Sequence, residues 1–407
     1  MASVRSLPDW SSGLPRELLE IIAKKLPSGE DAASFRSVCS PWRAALPFAR
    51  FAPLLLLPLL FDPTSPPEAA TFYSLVEEKT VVLPLPELHG KVVVGASCGW
   101  LALVDDATAV SLLNPFTGSG VALPPADQRV AASSSRSLEM AGDGDDGGGR
   151  WVVRCSSGDV SPVTLDKMRE VFFSEIVLST TPGGGGGCVA MAVLADSSEV
   201  AFCRVGHTAW TLIETNVECC VSTVVHCHGS FLAIGCLGEV STINIAGDRA
   251  TPSPARSVSS SLPEAAEMCH RSYLEVNGQL HLVGVPIRAF HGEWPFGHHA
   301  VVYKCDLTAG ETPVWSMVTD AGDMAMFMSK NFNSGFGGVG VSKIKRNFIY
   351  LSEPMYGDQG DGTDHSLELV DIATGTSENI GYPTIHGSEV TNVEIAKDLS
   401  EEKQLLI

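Results

Sequence analysis

Beyond residue 70 the chain reads as a series of short apolar runs broken by Gly, Pro, Asp and Ser. The runs fall at 80–83, 91–96, 100–104, 109–113, 170–178, 189–194, 199–204, 209–213, 222–226, 231–234 and 239–245. They continue at 272–276, 279–285, 300–305, 314–318, 348–352 and 366–371. Runs of this length bounded by turn residues predict strands, and strands at this density predict an all-β domain. Asn277-Gly278 stands between two alternating runs. A two-residue hairpin turn needs residues that accept positive φ, and Asn-Gly is its strongest short signal. Residues 52–58 (APLLLLP) are read as a buried first strand.

Residues 14–46 follow another period. Leu18, Ile21, Ile22 and Leu26 recur at helical spacing. Pro15 suits a first helical position, where its missing N–H costs nothing. Glu17 and Glu20 come early and Lys24 and Lys25 late, the charge order a helix dipole favours. Pro27 and Gly29 stop the helix. Asp31 is placed to cap a second helix carrying Phe35 and Val38, and Ser40-Pro41 to open a third holding Trp42 and Leu46. Domains below roughly forty residues usually need a metal, disulfides or a partner. Cys39 has no ligand set around it, so this segment is expected to need a partner surface.

The order Leu14-Pro15, Glu17-Leu18, Ile21, Leu26, Asp31, Phe35-Arg36-Ser37-Val38-Cys39 and Trp42-Arg43 is distinctive. The segment resembles the F-box, the helical module that docks on the Skp-type adaptor of cullin ubiquitin ligases. The resemblance implies adaptor anchors among Leu14, Pro15, Leu18, Ile21, Ile22, Leu26, Val38 and Trp42, some of which must pack the module's own core.

About twenty strands over some 350 residues exceed one sandwich, and radial repetition in four-stranded blades is the economical solution. Cys98-Gly99-Trp100-Leu101, His228-Gly229-Ser230-Phe231 and Asn277-Gly278-Gln279-Leu280 repeat one turn-then-strand unit. Their distances are irregular, so no strict period holds, and the Gly-His…Trp-Asp pairing of WD repeats is missing. Further signals are Gly95 to Leu103, the stretch Asn114-Pro115-Phe116-Thr117-Gly118, Ala209-Trp210-Thr211, Arg271-Ser272-Tyr273 and Asn347-Phe348-Ile349-Tyr350. Over about 53–381 the chain resembles the KIB-type β-propeller, a domain-of-unknown-function family that follows the F-box in many plant proteins. Cys98 stands where that family usually has histidine. The expected fold is a small all-α F-box of three short helices followed by an all-β, six-bladed, kelch-like propeller. The expected domains are a flexible N-terminus at 1–12, the F-box at 13–48, the propeller at 52–385 and a tail at 386–407.

Charge narrows the partners. The net charge is −20; residues 1–50 carry +2 and the remainder −22. A body this acidic makes a poor nucleic-acid binder, because phosphate contact needs clustered Lys and Arg. It argues equally against an anionic membrane surface and points weakly to a basic target patch. The first residues lack the apolar core of a secretory signal. The run at 51–61 is broken by Pro53 and Pro58 and falls far short of the ~20 residues of a spanning helix. The 11 cysteines are odd in number and scattered, which points to free thiols in a reducing compartment, nucleus or cytoplasm. Residues 131–150, 182–187 and 248–264 are Gly/Ser/Asp- or Pro/Ser-rich and are expected to be mobile loops.

Candidate chemistry is thin. Gly335, Gly337, Gly338 and Gly340 have the spacing of a dinucleotide fingerprint, but a strand rather than a helix is expected after them. Cys219, Cys220, His226, Cys227 and His228 are the densest soft-ligand group. Strand alternation sends His226 and His228 to one face and Cys227 to the other, against zinc. His291, His298 and His299 form a weaker group. Asp143, Asp145 and Asp146 begin like a calcium loop, but its twelfth position is Arg154 rather than Glu. No catalytic, cofactor or metal residue is therefore assigned.

The resemblances imply a non-catalytic subunit of an SCF-type ubiquitin ligase. On that resemblance the F-box is expected to bind the Skp adaptor and through it cullin, and the propeller to hold a target protein. A propeller scaffold outside any ligase, and a propeller enzyme with a site assembled across blades, are the alternatives.

Overall fold

Antiparallel pairing between neighbouring apolar runs organises this computed structural model. It describes residues 14–23, 25–26, 35, 38, 42, 45, 56–58, 69–74, 79–115, 117–126, 136–140, 151–155, 160–183 and 187–247. It further describes 249–252, 269–286, 300–307, 314–328, 333–336, 344–352, 366–381 and 391–392.

In the N-terminal part the described residues include helix α1 (Arg16–Ala23). Leu18 N–H and Leu19 N–H donate to the Pro15 carbonyl, which starts it. It closes sooner than the spacing predicts: Lys25 N–H donates to the Ile22 carbonyl in a tightened turn, so Lys25 follows the helix. Phe35, Trp42 and Ala45 have helical backbone and Val38 lies in a bend; the other cap and helix residues expected at 27–46 lie outside the described residues.

Strands β1 (Leu56–Pro58), β2 (Ala69–Ser74) and β3 (Lys79–Pro84) pair in order. The first blade follows: β4 (Lys91–Ser97), β5 (Trp100–Asp105), β6 (Val110–Leu113) and β7 (Gly120–Leu123). A three-stranded sheet comes next, of β8 (Arg136–Met140), β9 (Trp151–Cys155) and β10 (Val160–Pro162). After a helical turn, α2 (Met168–Val171), the second blade has β11 (Phe173–Leu178), β12 (Val189–Leu194), β13 (Glu199–Arg204) and β14 (Thr211–Glu214). The third has β15 (Val221–Cys227), β16 (Ser230–Gly235), β17 (Val240–Ala246) and β18 (Arg249–Pro252). The fourth has β19 (Cys269–Val276), β20 (Gln279–Pro286), β21 (Val301–Asp306) and β22 (Val314–Met317). The fifth runs β24 (Asn333–Phe336), β23 (Ala325–Met328), β25 (Phe348–Ser352), β26 (Ser366–Asp371) and β27 (Ser377–Gly381). Its β23 and β25 are parallel. Last, β28 (Thr391–Asn392) pairs parallel with β3.

Blades stack because their strands are apolar on both faces. In β12, Ala190, Ala192 and Leu194 enter the core shared with the first blade. Val189, Met191 and Val193 enter the core shared with the third. Period-2 alternation thus sends one strand's side chains into two cores, and the unbroken run VAMAVL follows from that. The third and fourth blades share a core through Val225, Leu232, Tyr273 and Leu282, and the fourth and fifth through Leu274, Val283, Met326 and Ile349. The innermost strands β4, β11, β15, β19 and β24 lie side by side in that order. Gly95 of β4 sits against the Ile176 backbone of β11, with no room for a side chain.

Five blades are joined in this way among the described residues, which corrects the expectation of six. Strand number does not reveal which strands lie side by side. Since β4 meets β11 directly, the three-stranded sheet between them in sequence stands outside the succession, with Trp151 edge-on to Phe172 (centroids 5.5 Å apart, 76°). Two further corrections concern loops and one a strand. Residues 136–140 are strand within the expected loop 131–150, and 249–252 are strand within 248–264. Pairing with β9 and β17 supplies the order that local composition lacks. The run at 170–178 is helical to Val171, because Met168, Val171 and Phe172 recur at helical spacing and are buried.

Candidate functional site: an exposed aliphatic face and two propeller ends

The eight residues expected to dock an adaptor divide by burial. Among the described residues, Leu19, Ala23, Phe35 and Ala45 form the segment's core, and Leu14, Leu26 and Trp42 pack against it. Phe35 and Trp42 rings lie 4.6 Å apart. Four large aliphatics point the other way: Leu18 (46% exposed), Ile21 (51%), Ile22 (39%) and Val38 (52%). Pro15 is also exposed. Leu18, Ile21 and Ile22 share one face of α1, three and four residues apart. An ion pair from Arg16 to Glu20, 3.0 Å, edges the helix and adds no more than a few tenths of a kcal/mol.

One end of the propeller is built from tight turns. Cys98-Gly99, His228-Gly229 and Asn277-Gly278 all have positive φ at both positions (54° and 78°, 50° and 77°, 53° and 79°). Each joins the innermost strand of its blade to the second with the twist of a primed hairpin turn. Neighbouring turns touch: Cys227 Sγ donates to the Gly278 carbonyl at 3.3 Å, and a Cβ on Gly278 would lie 2.8 Å from His228 Cε1. Gly278→Ala is therefore expected to destabilise by about 1–2 kcal/mol, the cost of a side chain in left-handed backbone. A denaturant midpoint equal to wild type would refute the crowding argument.

The opposite end carries the chemistry. Antiparallel order returns the chain there after β16 and β20. Between the third and fourth blades lies a cavity of about 260 Å3, lined by Ser222, Gly235, Cys236, Cys269, His270, Arg271 and Tyr273. Arg271 Nη2 donates to the Cys236 carbonyl at 2.8 Å. Burial lowers the pKa of His270 and raises those of Tyr273 and, to about 11, Cys269. No carboxylate lines this cavity, so the described residues do not set an acid and a base against each other there. Glu239 lies close by, 3% exposed; its Oε1 accepts from the Glu218 N–H at 3.3 Å. At the second junction the Glu175 carboxyl accepts from Thr223 Oγ1 at 2.7 Å. Burial raises its pKa, against the Thr223 and Val224 hydrogen bonds and the Arg169 charge.

The soft-ligand group expected on one stretch is split by β15. Cys219 and Cys220 precede its seven residues, while His226 and Cys227 end it and His228 follows, about 20 Å away. Cys219 and Cys220 instead meet Cys236, in the turn that follows the returning strand β16. Local spacing gave no sign of Cys236; its place after the paired run 230–235 was the available signal. Of the glycine fingerprint, Gly335 lies in β24, and Gly337, Gly338 and Gly340 lie outside the described residues. So do Asp143, Asp145, Asp146, His291, His298 and His299.

The fold is thus a mainly-β propeller with few helices, and its radial blades define its class. The chain belongs to the family described as KIB1-4 beta-propeller, whose pattern it matches over residues 72–381. It is also similar to "F-box protein SKIP23" of Arabidopsis thaliana, 33% identical over 140 residues. That match spans 33% of this chain and 33% of the relative. Together the two matches bear out the resemblance to plant F-box proteins with a KIB-type propeller. Among solved structures, a dihydro-heme d1 dehydrogenase, NirN, in complex with DHE aligns at 11% identity over 92% of this chain and 91% of that one, with a TM-score of 0.34. The Cps50 (Swd1) beta-propeller domain of Myceliophteria thermophila aligns at 10% identity over 82% and 86%, also at 0.34. Scores this low bear on neither fold nor activity.

Proposed function

We propose that the chain is the substrate-recognition subunit of an SCF-type ubiquitin ligase. Residues 13–48 act as an F-box that docks on a Skp-type adaptor and through it on cullin. The propeller, 52–385, holds a target protein. The chain performs no bond chemistry of its own; it raises the local concentration of target lysines at the charged enzyme. One observation carries the reading: Leu18, Ile21, Ile22 and Val38 are exposed on a segment of under roughly forty residues, a length that usually needs a partner. The similarity to a protein named as an F-box protein supports it. Of the eight expected anchors, Leu18, Ile21, Ile22, Val38 and Pro15 make the contact. Leu14, Leu26 and Trp42 shape the helix that presents them. The acidic body steers a basic target patch toward a propeller face, in nucleus or cytoplasm.

The test is co-purification of the full chain with a Skp-type adaptor and cullin, beside Leu18→Asp/Ile21→Asp. Wild type is expected to carry both partners. The variant is expected to lose both at unchanged melting temperature, since exposed positions bear little of the fold's own stability. Capture of the adaptor without cullin would leave a scaffold outside any ligase. Failure of the wild type to capture the adaptor would end the F-box reading.

A further inference from the structure

We infer that Cys219, Cys220 and Cys236 form a three-thiolate binding site for a zinc ion, independent of any adaptor contact. Their three Sγ atoms lie within 4.8 Å of one another. Tetrahedral zinc with Zn–S bonds near 2.3 Å sets neighbouring sulfurs about 3.8 Å apart, so a contraction of at most about one ångström closes the set. The fourth position faces solvent and falls to water.

Two segments far apart in sequence bring the thiols together, and the backbone fixes them. Cys236 N–H donates to the Cys220 carbonyl at 2.9 Å, and Val221 pairs with Gly235 across the sheet. Gly235 N–H donates to the Glu239 carbonyl and Gly238 N–H to the Gly235 carbonyl, closing the turn that presents Cys236. The Arg271 guanidinium holds the Cys236 carbonyl from the next blade. A site fixed this way loses little entropy when metal binds.

Exposure separates these thiols from the packing cysteines. Cys188, Cys203, Cys227, Cys269 and Cys305 are buried and serve as small core residues. Cys219 is exposed and Cys220 and Cys236 half-buried, so an ion has a way in. Thiolates bind the ion, so as each S–Zn bond forms a thiol proton leaves to solvent, and affinity rises with pH.

The test uses the full untagged chain, reduced and stripped with a chelator, then titrated with Co2+ and back-titrated with Zn2+. A near-ultraviolet thiolate-to-cobalt band saturating at one equivalent is expected, and zinc should abolish it. Cys236→Ser and Cys219→Ser are expected to weaken zinc at least roughly 100-fold, more than the loss of an outer-shell partner does. Cys98→Ser, in a turn at the opposite end, should leave it unchanged. Native mass spectrometry counts the bound metal independently; Cys219 is exposed, so its variant keeps the test valid if Cys236→Ser misfolds. Absence of a cobalt band in wild type, equal metal in wild type and Cys219→Ser, or a disulfide among the three that persists under reductant would each overturn the site.

Discussion

Gly95→Ala is expected to destabilise the propeller by about 3 kcal/mol or more, the upper range for forced overpacking. The methyl group would sit inside contact distance of the Ile176 carbonyl oxygen, 3.0 Å from Ile176 C and 3.1 Å from Ile176 N. These are backbone atoms of the next blade's innermost strand, and no rotamer change moves them. Relief requires β4 and β11 to part. That separation breaks the bond from Leu178 N–H to Ser97 Oγ, 2.8 Å, and exposes Val94 and Ile176, both fully buried. Urea unfolding of wild type and variant measures the effect. A midpoint within error of wild type would mean that the blades are further apart than described.

Trp210→Ala is expected to cost about 3–5 kcal/mol, the usual price of a buried tryptophan. Its ring lies 5.0 Å from Phe173 and its indole N–H donates to the Pro124 carbonyl at 2.7 Å, beyond β7 of the first blade. One side chain thus ties the outer part of the second blade to the end of the first. Trp210→Phe keeps part of the ring contact and removes the donor. It should cost less, with about 1 kcal/mol of the loss due to the hydrogen bond. Equal losses in the two variants would assign the whole effect to the bond. No loss in either would remove Trp210 from the junction.

Much of the blade architecture is local information, and it was legible. The runs at 189–194, 199–204, 348–352 and 366–371 are strands with those same limits, because turn residues bound them on both sides. The three turn-then-strand units are hairpins of one kind, including Cys98-Gly99 and His228-Gly229, whose first residues tolerate positive φ at some cost. What the sequence hid was non-local. Strands β8 and β18 lie in polar, Gly- or Pro-rich stretches and exist because neighbours pair with them. Blade number depends on which innermost strands touch, and the direct contact of β4 with β11 is written in neither run. In α1 the helical spacing of Leu18, Leu19, Ile21, Ile22 and Ala23 is plain, yet Leu19 and Ala23, absent from the expected anchors, turned out to be the core. The thiol cluster was half visible: Cys219 and Cys220 drew attention, and Cys236 joins them only through the sheet register.

The pairing of β28 with β3 sets a timetable for synthesis. The outer edge of β3 is complete by Pro84, while its partner begins at Thr391. At ~5–20 residues per second, the ribosome takes roughly 15–60 s to deliver that partner. For that interval the nascent chain presents a strand edge able to accept foreign strands. Chaperone demand should therefore peak during translation and fall once the last strand emerges. Slowing translation upstream of β28 should lower the soluble yield without altering the finished protein.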